Sequence, residues 1–231
     1  MKKELSFALH RSTPVFFGYL FLGIAFGLML QRAGFSFPWA VMSSVFIYAG
    51  SGQFALVEML QNSENLIAVA VMTFSINCRH IFYGISFIER FKAMGKRGLY
   101  MIFSLTDETY SLLCTTKVPE DCDEDKAFFY IAVLDQLYWV FGSLIGALIG
   151  QLITFNSEGI EFAMTALFVV LFIEQWLENR NHLPALIGAV CSIGFLLLVG
   201  PTRFILPSLL ATVALLLLLR TGKPLGKGVA K

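Results

Sequence analysis

Three short polar strings interrupt an otherwise apolar chain and hold most of the groups able to do chemistry. The first is Gly50-Ser51-Gly52-Gln53. Its small residues free the backbone, and Ser51 is suited to cap a half-helix over 52–60. A helix that begins inside an apolar run points its free N–H groups and positive dipole end into the space ahead of it. That arrangement receives a carboxylate; the plainer alternative is a kink in one continuous helix. The second string is Asn77-Cys78-Arg79-His80. Asn77 and His80 share a helical face that Gly84 continues, and Arg79 shares another with Ser75 and Tyr83. Substrate contact or proton relay is the chemistry such groups offer. A snorkelling Arg79 and a packed, hydrogen-bonded His80 are the structural alternatives. The third string is Thr106-Asp107-Glu108-Thr109. Its adjacent carboxylates could hold an ammonium group or exchange a proton. They could also serve only to start a helix, since Ser104-x-x-Asp107 fits a capping box. Asp135, deep in a later apolar run, is a candidate charge partner for Arg79 or His80.

Other chemistries lack their residues. Ser, Cys and His are not spaced as a nucleophile and its base, and no phosphate-binding loop is present, so an enzyme is not expected. No cofactor or metal is expected, because the few His and four Cys form no ligand cluster and no C-x-x-C pair. The net charge of +1 gives no reason to expect nucleic acid as a partner.

These groups must be positioned by elements that live in lipid. Hydrophobic residues make up 57% of the 231 and charged ones only 14%, where a soluble domain carries about a quarter. The mean hydropathy is +0.72. The expected fold is an all-α polytopic membrane protein forming one integral-membrane domain over 1–231. Its apolar runs lie near 14–30, 39–60, 66–88, 99–116, 127–153, 161–177, 183–199 and 203–219. All should be helical, because only helices and closed barrels satisfy the backbone in hydrocarbon. Lys2, Lys3 and Arg11 place the amino-terminal tail (1–13) in the cytoplasm, and Arg220, Lys223, Lys227 and Lys231 place the carboxyl-terminal tail (220–231) there. Arg90, Lys92, Lys96 and Arg97 ask for the same side, which three full crossings before them would forbid. The parity is restored if 39–60, broken at Gly50–Gly52, enters and leaves on the external side. The stretch 99–116, broken at 106–109, would then be a second hairpin from the cytoplasm. The alternative is eight full crossings, with that basic loop outside as an exception; six to eight hydrophobic helices, two of them broken or re-entrant, cover both arrangements. Gly23-x-x-x-Gly27 and the series Gly142, Gly146, Gly150 mark faces for close helix packing.

Taken together and in order, the motifs resemble the AzlC-type, or azaleucine-resistance, family of branched-chain amino acid permeases. The matching stretches are Pro14-x-x-x-Gly18 through Phe26-Gly27, Tyr48 to Phe54, Asn77 through Gly84, and Thr106-Asp107-Glu108. The family often carries Ala where this chain has Ser51. The resemblance implies export of leucine, isoleucine and valine, in some cases methionine, across the bacterial plasma membrane, with a small AzlD-type membrane protein as partner. A secondary transporter driven by the proton gradient is the mechanism expected. In it, residues 50–53 take the substrate carboxylate, Asp107 or Glu108 takes the ammonium, and His80 or a carboxylate couples the proton. A passive channel and a non-transporting scaffold subunit are the alternatives.

Overall fold

The computed structural model describes residues 2–152, 169, 172–173, 176–177, 181–200 and 204–220. The run near 161–177, most of the 153–180 region and the carboxyl-terminal residues 221–231 therefore lie largely outside the described residues. No strand occurs among those described. Contacts divide the chain into two compact units, 1–165 and 166–231.

In the first unit, two long helices form the frame. Helix α1 (Lys2–Arg32) and helix α8 (Glu124–Leu152) are long and apolar enough to cross a membrane. Between them lie α2 (Phe37–Phe46), α3 (Gly50–Gln61), α4 (Leu66–Asn77), α5 (Arg79–Ala93), α6 (Lys96–Phe103) and α7 (Asp107–Thr115). At 1.5 Å per residue α2 is about 15 Å long, half of a ~30 Å hydrocarbon core, so it cannot cross alone. Phe21, Phe46, Leu66, Ile67 and Leu152 are between 71% and 85% exposed. An apolar surface of that kind is stable only against lipid or a protein partner.

Helices α1 and α8 run parallel, and glycine sets their separation. A Cβ at Gly23 would lie 2.9 Å from the Ser143 amide, and one at Gly142 would lie 2.9 Å from the Tyr19 carbonyl oxygen. One at Gly27 would run into the Ser143 carbonyl oxygen, and one at Gly146 into that of Ile24. Gly150 closes the series against Gln31. The glycine faces legible in the sequence thus pack on each other inside the chain.

That register gives every other element a depth. The α2–α3 pair starts beside the end of α1, reaches Ser143 through Ser44, and turns where the Trp139 ring lies over Gly50. It then heads back, with Phe54 packed on Phe26. The α6–α7 pair does the reverse. It starts with Arg97 over the Phe129 ring and turns beside Tyr19 and Asp135. It returns to the amino-terminal end of α1, where Arg11 bonds Thr116. Between the two hairpins, α4–α5 runs from the first end to the second, where Arg90 pairs with Glu124 and Asp125. Lys3 pairs with Asp121 at that same end, its ammonium holding the Asp121 carboxyl below the usual range through a hydrogen bond. The unit therefore contains a helix and hairpin, then a second helix and hairpin of opposite direction.

The breaks differ in detail from the expectations. The first lies at 47–49, not at Gly50–Gly52, and Ala49 rather than Ser51 precedes the new helix. Tyr48 there has φ of 42°, a left-handed position that usually holds Gly or Asn at a helix end. The amides of Ile47 and Tyr48 both bond the Ser43 carbonyl, which closes α2. The second hairpin breaks at 104–106, and its cap is Thr106, which accepts from the Thr109 amide, not Ser104. The 66–88 run, read as unbroken, is interrupted at Cys78, so that Asn77 ends one helix and Arg79 opens the next.

In the second unit, α9 (Leu183–Val199) and α10 (Ile205–Arg220) pack on each other.

Candidate functional site

The two hairpin turns and the Cys78 break meet at the middle of α1 and α8, and the three polar strings are brought together there. Arg79 is the link. Its Nη2 donates to Ser51 Oγ at 2.6 Å and pairs with Asp107 Oδ2 at 2.8 Å. One guanidinium thus ties the first turn of α3 to the first turn of α7. Tyr83, one turn further along α5, donates to Asp107 Oδ1 at 2.7 Å and stacks on Tyr110. The partly exposed side chains of Arg79 and Asp107 open onto the surface of this meeting point. His80 lies nearby with its ring against the edge of Tyr83.

The electrostatics are unusual. The amides of Gly50, Ser51 and Gly52 precede the first i→i−4 bond of α3, which is Gln53 N–H to Ala49 O. Their partial positive charge is joined by a guanidinium rather than by an anion, the reverse of the ordinary preference at a helix start. Asp107 is the carboxylate paired with that guanidinium. Arg79 Nε and Asn77 Oδ1 are buried without a protein partner. Gly52 is where the Asn77 amide comes closest, 3.0 Å from where a Cβ would stand. The site offers a small set of unfilled donors and one unfilled acceptor beside a backbone whose glycines let the Asn77 amide and the Trp139 ring come close.

The other candidates fall elsewhere. Gln53 is fully buried, accepts from Trp139 Nε1 at 2.9 Å and reaches Ser43 and Ser44, so its amide braces the first hairpin. Asp135 is fully buried and hydrogen-bonds with Thr109 Oγ1 at 2.9 Å, so Arg79 takes Asp107 and not Asp135 as its carboxylate. Glu108 turns away from Asp107 and hydrogen-bonds with Tyr19 OH at 2.7 Å. Tyr19 and Trp139 are the contributors the sequence reading passed over. A tyrosine among the phenylalanines of 16–21 is the signal for the first, since a hydroxyl in an apolar run needs a partner.

No His/Cys/Asp/Glu group able to hold a metal occurs among the described residues.

Comparison with known proteins follows the same stretch of chain. The family model described as AzlC protein matches residues 14–153, which include every residue of this site. The branched-chain amino acid transport protein AzlC of Bacillus subtilis (strain 168) is 42% identical over 214 residues, covering 93% of this chain and 84% of that protein. An uncharacterized membrane protein of Haemophilus influenzae is 38% identical, covering 92% and 87%. Inner membrane protein YgaZ of Escherichia coli (strain K12) is 29% identical, covering 85% and 80%. No solved structure matches.

Proposed function

This chain belongs to the AzlC protein family and is a membrane protein, and from that premise we propose that it exports branched-chain amino acids, driven by the proton gradient. The observation that carries the reading is the Arg79 bridge between two opposed hairpin turns at mid-depth. A charged group inside a membrane protein is costly and needs a functional or structural reason. Here the cation stands at a positive helix end, where a carboxylate is the complementary ligand. Discontinuous helices receive anionic substrate groups in this way in other transporters.

In this reading the substrate carboxylate takes Arg79 and the amides of Gly50–Gly52. Asp107, released from Arg79, takes the ammonium, and Asn77 Oδ1 accepts a second hydrogen from it. Tyr83 then holds Asp107 in place alone. The branched tail lies among the apolar side chains around the turns. His80 packs edge-on against Tyr83, the residue that holds Asp107. A small AzlD-type membrane protein covers part of the exposed apolar surface and completes the transporter.

The same reading fixes the orientation. Lys3, Arg11, Arg90 and Arg97 gather at one end of the first unit, which positive charge assigns to the bacterial cytoplasm. The α2–α3 hairpin then enters from outside, and α6–α7 from inside. Gly95 has φ of 58°, so the accessible neighbour Lys96 is the position to label. In a background without native cysteines, Lys96→Cys should react with an impermeant thiol reagent only from the cytoplasmic side. Reaction from outside contradicts the arrangement.

Function is tested in cells lacking their own exporters and fed leucine-, valine- or methionine-containing dipeptides. Free amino acid should appear outside only when this chain and its small partner are both present, and an uncoupler should abolish it. Equal efflux with neither protein contradicts the reading.

A further inference from the structure

Glu108 and Asp135 are joined by an unbroken line of oxygens. Glu108 Oε2 is 2.7 Å from Tyr19 OH, and Tyr19 OH is 2.7 Å from Thr106 Oγ1. Thr106 Oγ1 is 3.2 Å from Thr109 Oγ1, and Thr109 Oγ1 is 2.9 Å from Asp135 Oδ2. Three of these separations lie in the usual range for an O–H···O bond, and the Thr106–Thr109 contact is a longer one at 3.2 Å. The three hydroxyls between the carboxyl groups carry one hydrogen each. Four contacts need four hydrogens. The Thr109 amide points at Thr106 Oγ1 but does not lie between two oxygens of the line, so it fills none of them. The missing hydrogen has to be carried by a carboxyl group at one end.

We propose that Glu108 and Asp135 share a single proton, and that Tyr19, Thr106 and Thr109 form the wire that passes it between them. Two arrangements satisfy all four contacts. In one, Glu108 is protonated and donates to Tyr19, which donates to Thr106, then Thr109, then the Asp135 carboxylate. In the other, Asp135 is protonated and every donor reverses. Moving between them breaks and forms one O–H bond on each hydroxyl. It takes one proton from one carboxyl, gives one to the other, and creates no free charge on the hydroxyls.

The surroundings suit a relay. Tyr19, Thr106, Thr109 and Asp135 are all buried, so bulk water does not compete for their hydrogens. Asp135 Oδ1 is buried without a partner. A carboxylate there would be poorly satisfied, which favours the proton resting on Asp135. The charged and titratable groups facing the pair are Asp107 and Arg79 beside Glu108, and Tyr48 and Tyr100 beside Asp135. The α6–α7 hairpin carries Glu108, Thr106 and Thr109, whereas Tyr19 and Asp135 belong to the α1–α8 frame. A shift of the hairpin by an ångström or so opens the line at both ends. Glu108 is next to Asp107, so the wire connects the proposed substrate site with a buried proton store. This deepens the proton-coupled reading above, but the shared proton itself does not depend on transport.

Infrared spectroscopy of the purified full-length protein at neutral pH tests it directly. The wild type should show one protonated carboxyl that shifts in D2O and is missing from Glu108→Gln/Asp135→Asn. Thr109→Val should displace that band, and Thr109→Ser, which restores the hydroxyl, should return it. A wild-type spectrum with no protonated carboxyl overturns the proposal without recourse to a variant. In vesicles, Thr109→Val should lower net efflux by about a hundredfold, as loss of a positioned proton-transfer group does. It should spare substrate-for-substrate exchange, and Thr109→Ser should recover net efflux. Equal loss of exchange and net efflux in Thr109→Val overturns the wire. Absence of any transport by the wild type overturns the exporter reading and leaves the infrared result to stand by itself.

Discussion

Replacing Arg79 with glutamine should abolish leucine efflux while Arg79→Lys keeps a small fraction of it. The glutamine removes the one cation that joins Ser51 and Asp107. Charge-assisted bonds are worth about 1.5–3 kcal/mol each, so losing two to a substrate carboxylate costs roughly a hundredfold or more in affinity. Lysine restores the charge but not the planar guanidinium, which can present two N–H groups side by side to a carboxylate. The variant also leaves Asp107 without its cation. Stranding one member of a fully buried pair costs about 3–5 kcal/mol. Both side chains here are partly exposed, so the cost to stability is smaller and some protein should still reach the membrane. Adding Asp107→Asn to Arg79→Gln should recover the membrane level and not the transport. Recovery of transport by the neutral pair would show that the bridge serves the fold alone. The readout is efflux normalised to protein in the membrane fraction.

The second large effect is steric. Gly27→Ala should prevent α1 and α8 from closing, because the new methyl meets the Ser143 carbonyl and stands 2.6 Å from the Ala147 amide. These are backbone atoms that cannot turn aside, so the helices must separate along much of their length. Overpacking of this kind costs about 1–3 kcal/mol even where neighbours can adjust. Separation also pulls Tyr19 from the Asp135–Trp139 level and so disturbs the site at a distance. Gly18→Ala on the same helix is the control. No atom lies within 4 Å of its added methyl. Alanine favours a helix over glycine by about 1 kcal/mol, so that variant should be as stable as the wild type or slightly more so. Thermal unfolding in detergent, read by size-exclusion recovery after heating, separates the two. Equal recovery would mean that the frame tolerates a wider spacing than its glycines imply.

Much of this was legible in the sequence because the physics of lipid leaves few options. A polar string in an apolar run needs a partner, and the three strings at 50–53, 77–80 and 106–109 found one another. The parity argument from Arg90, Lys92, Lys96 and Arg97 asked for two hairpins facing opposite ways. The contacts of α2–α3 and α6–α7 do turn each pair back toward its own starting end. The glycine series announced close packing, but spacing alone does not choose between a neighbour within the chain and a partner subunit.

What stayed hidden depended on three-dimensional pairing. Asp107, Glu108 and Asp135 are alike as acids in apolar runs, and only the fold shows that Asp107 faces Arg79 while the other two face hydroxyls alone. Tyr48 gave no sign that it would take a left-handed turn, since Gly50 and Gly52 beside it are the residues that ordinarily do. Gln53 looked like a ligand to substrate because it follows the small residues. Its amide is instead claimed by Trp139, a contact 86 positions away in sequence. The interruption at Cys78 was missed because its neighbours are neither glycine nor proline.

Binding of radiolabelled leucine to the purified protein tests the central claim most directly, with wild type, Arg79→Gln and three competitors compared. Binding should saturate in the wild type and be lost in Arg79→Gln. Isoleucine should compete, whereas leucinamide, which lacks the carboxylate, and N-acetylleucine, which lacks the ammonium, should not. Leucine binding that persists in Arg79→Gln, or that leucinamide displaces as well as isoleucine does, would contradict a substrate site at the Arg79 bridge.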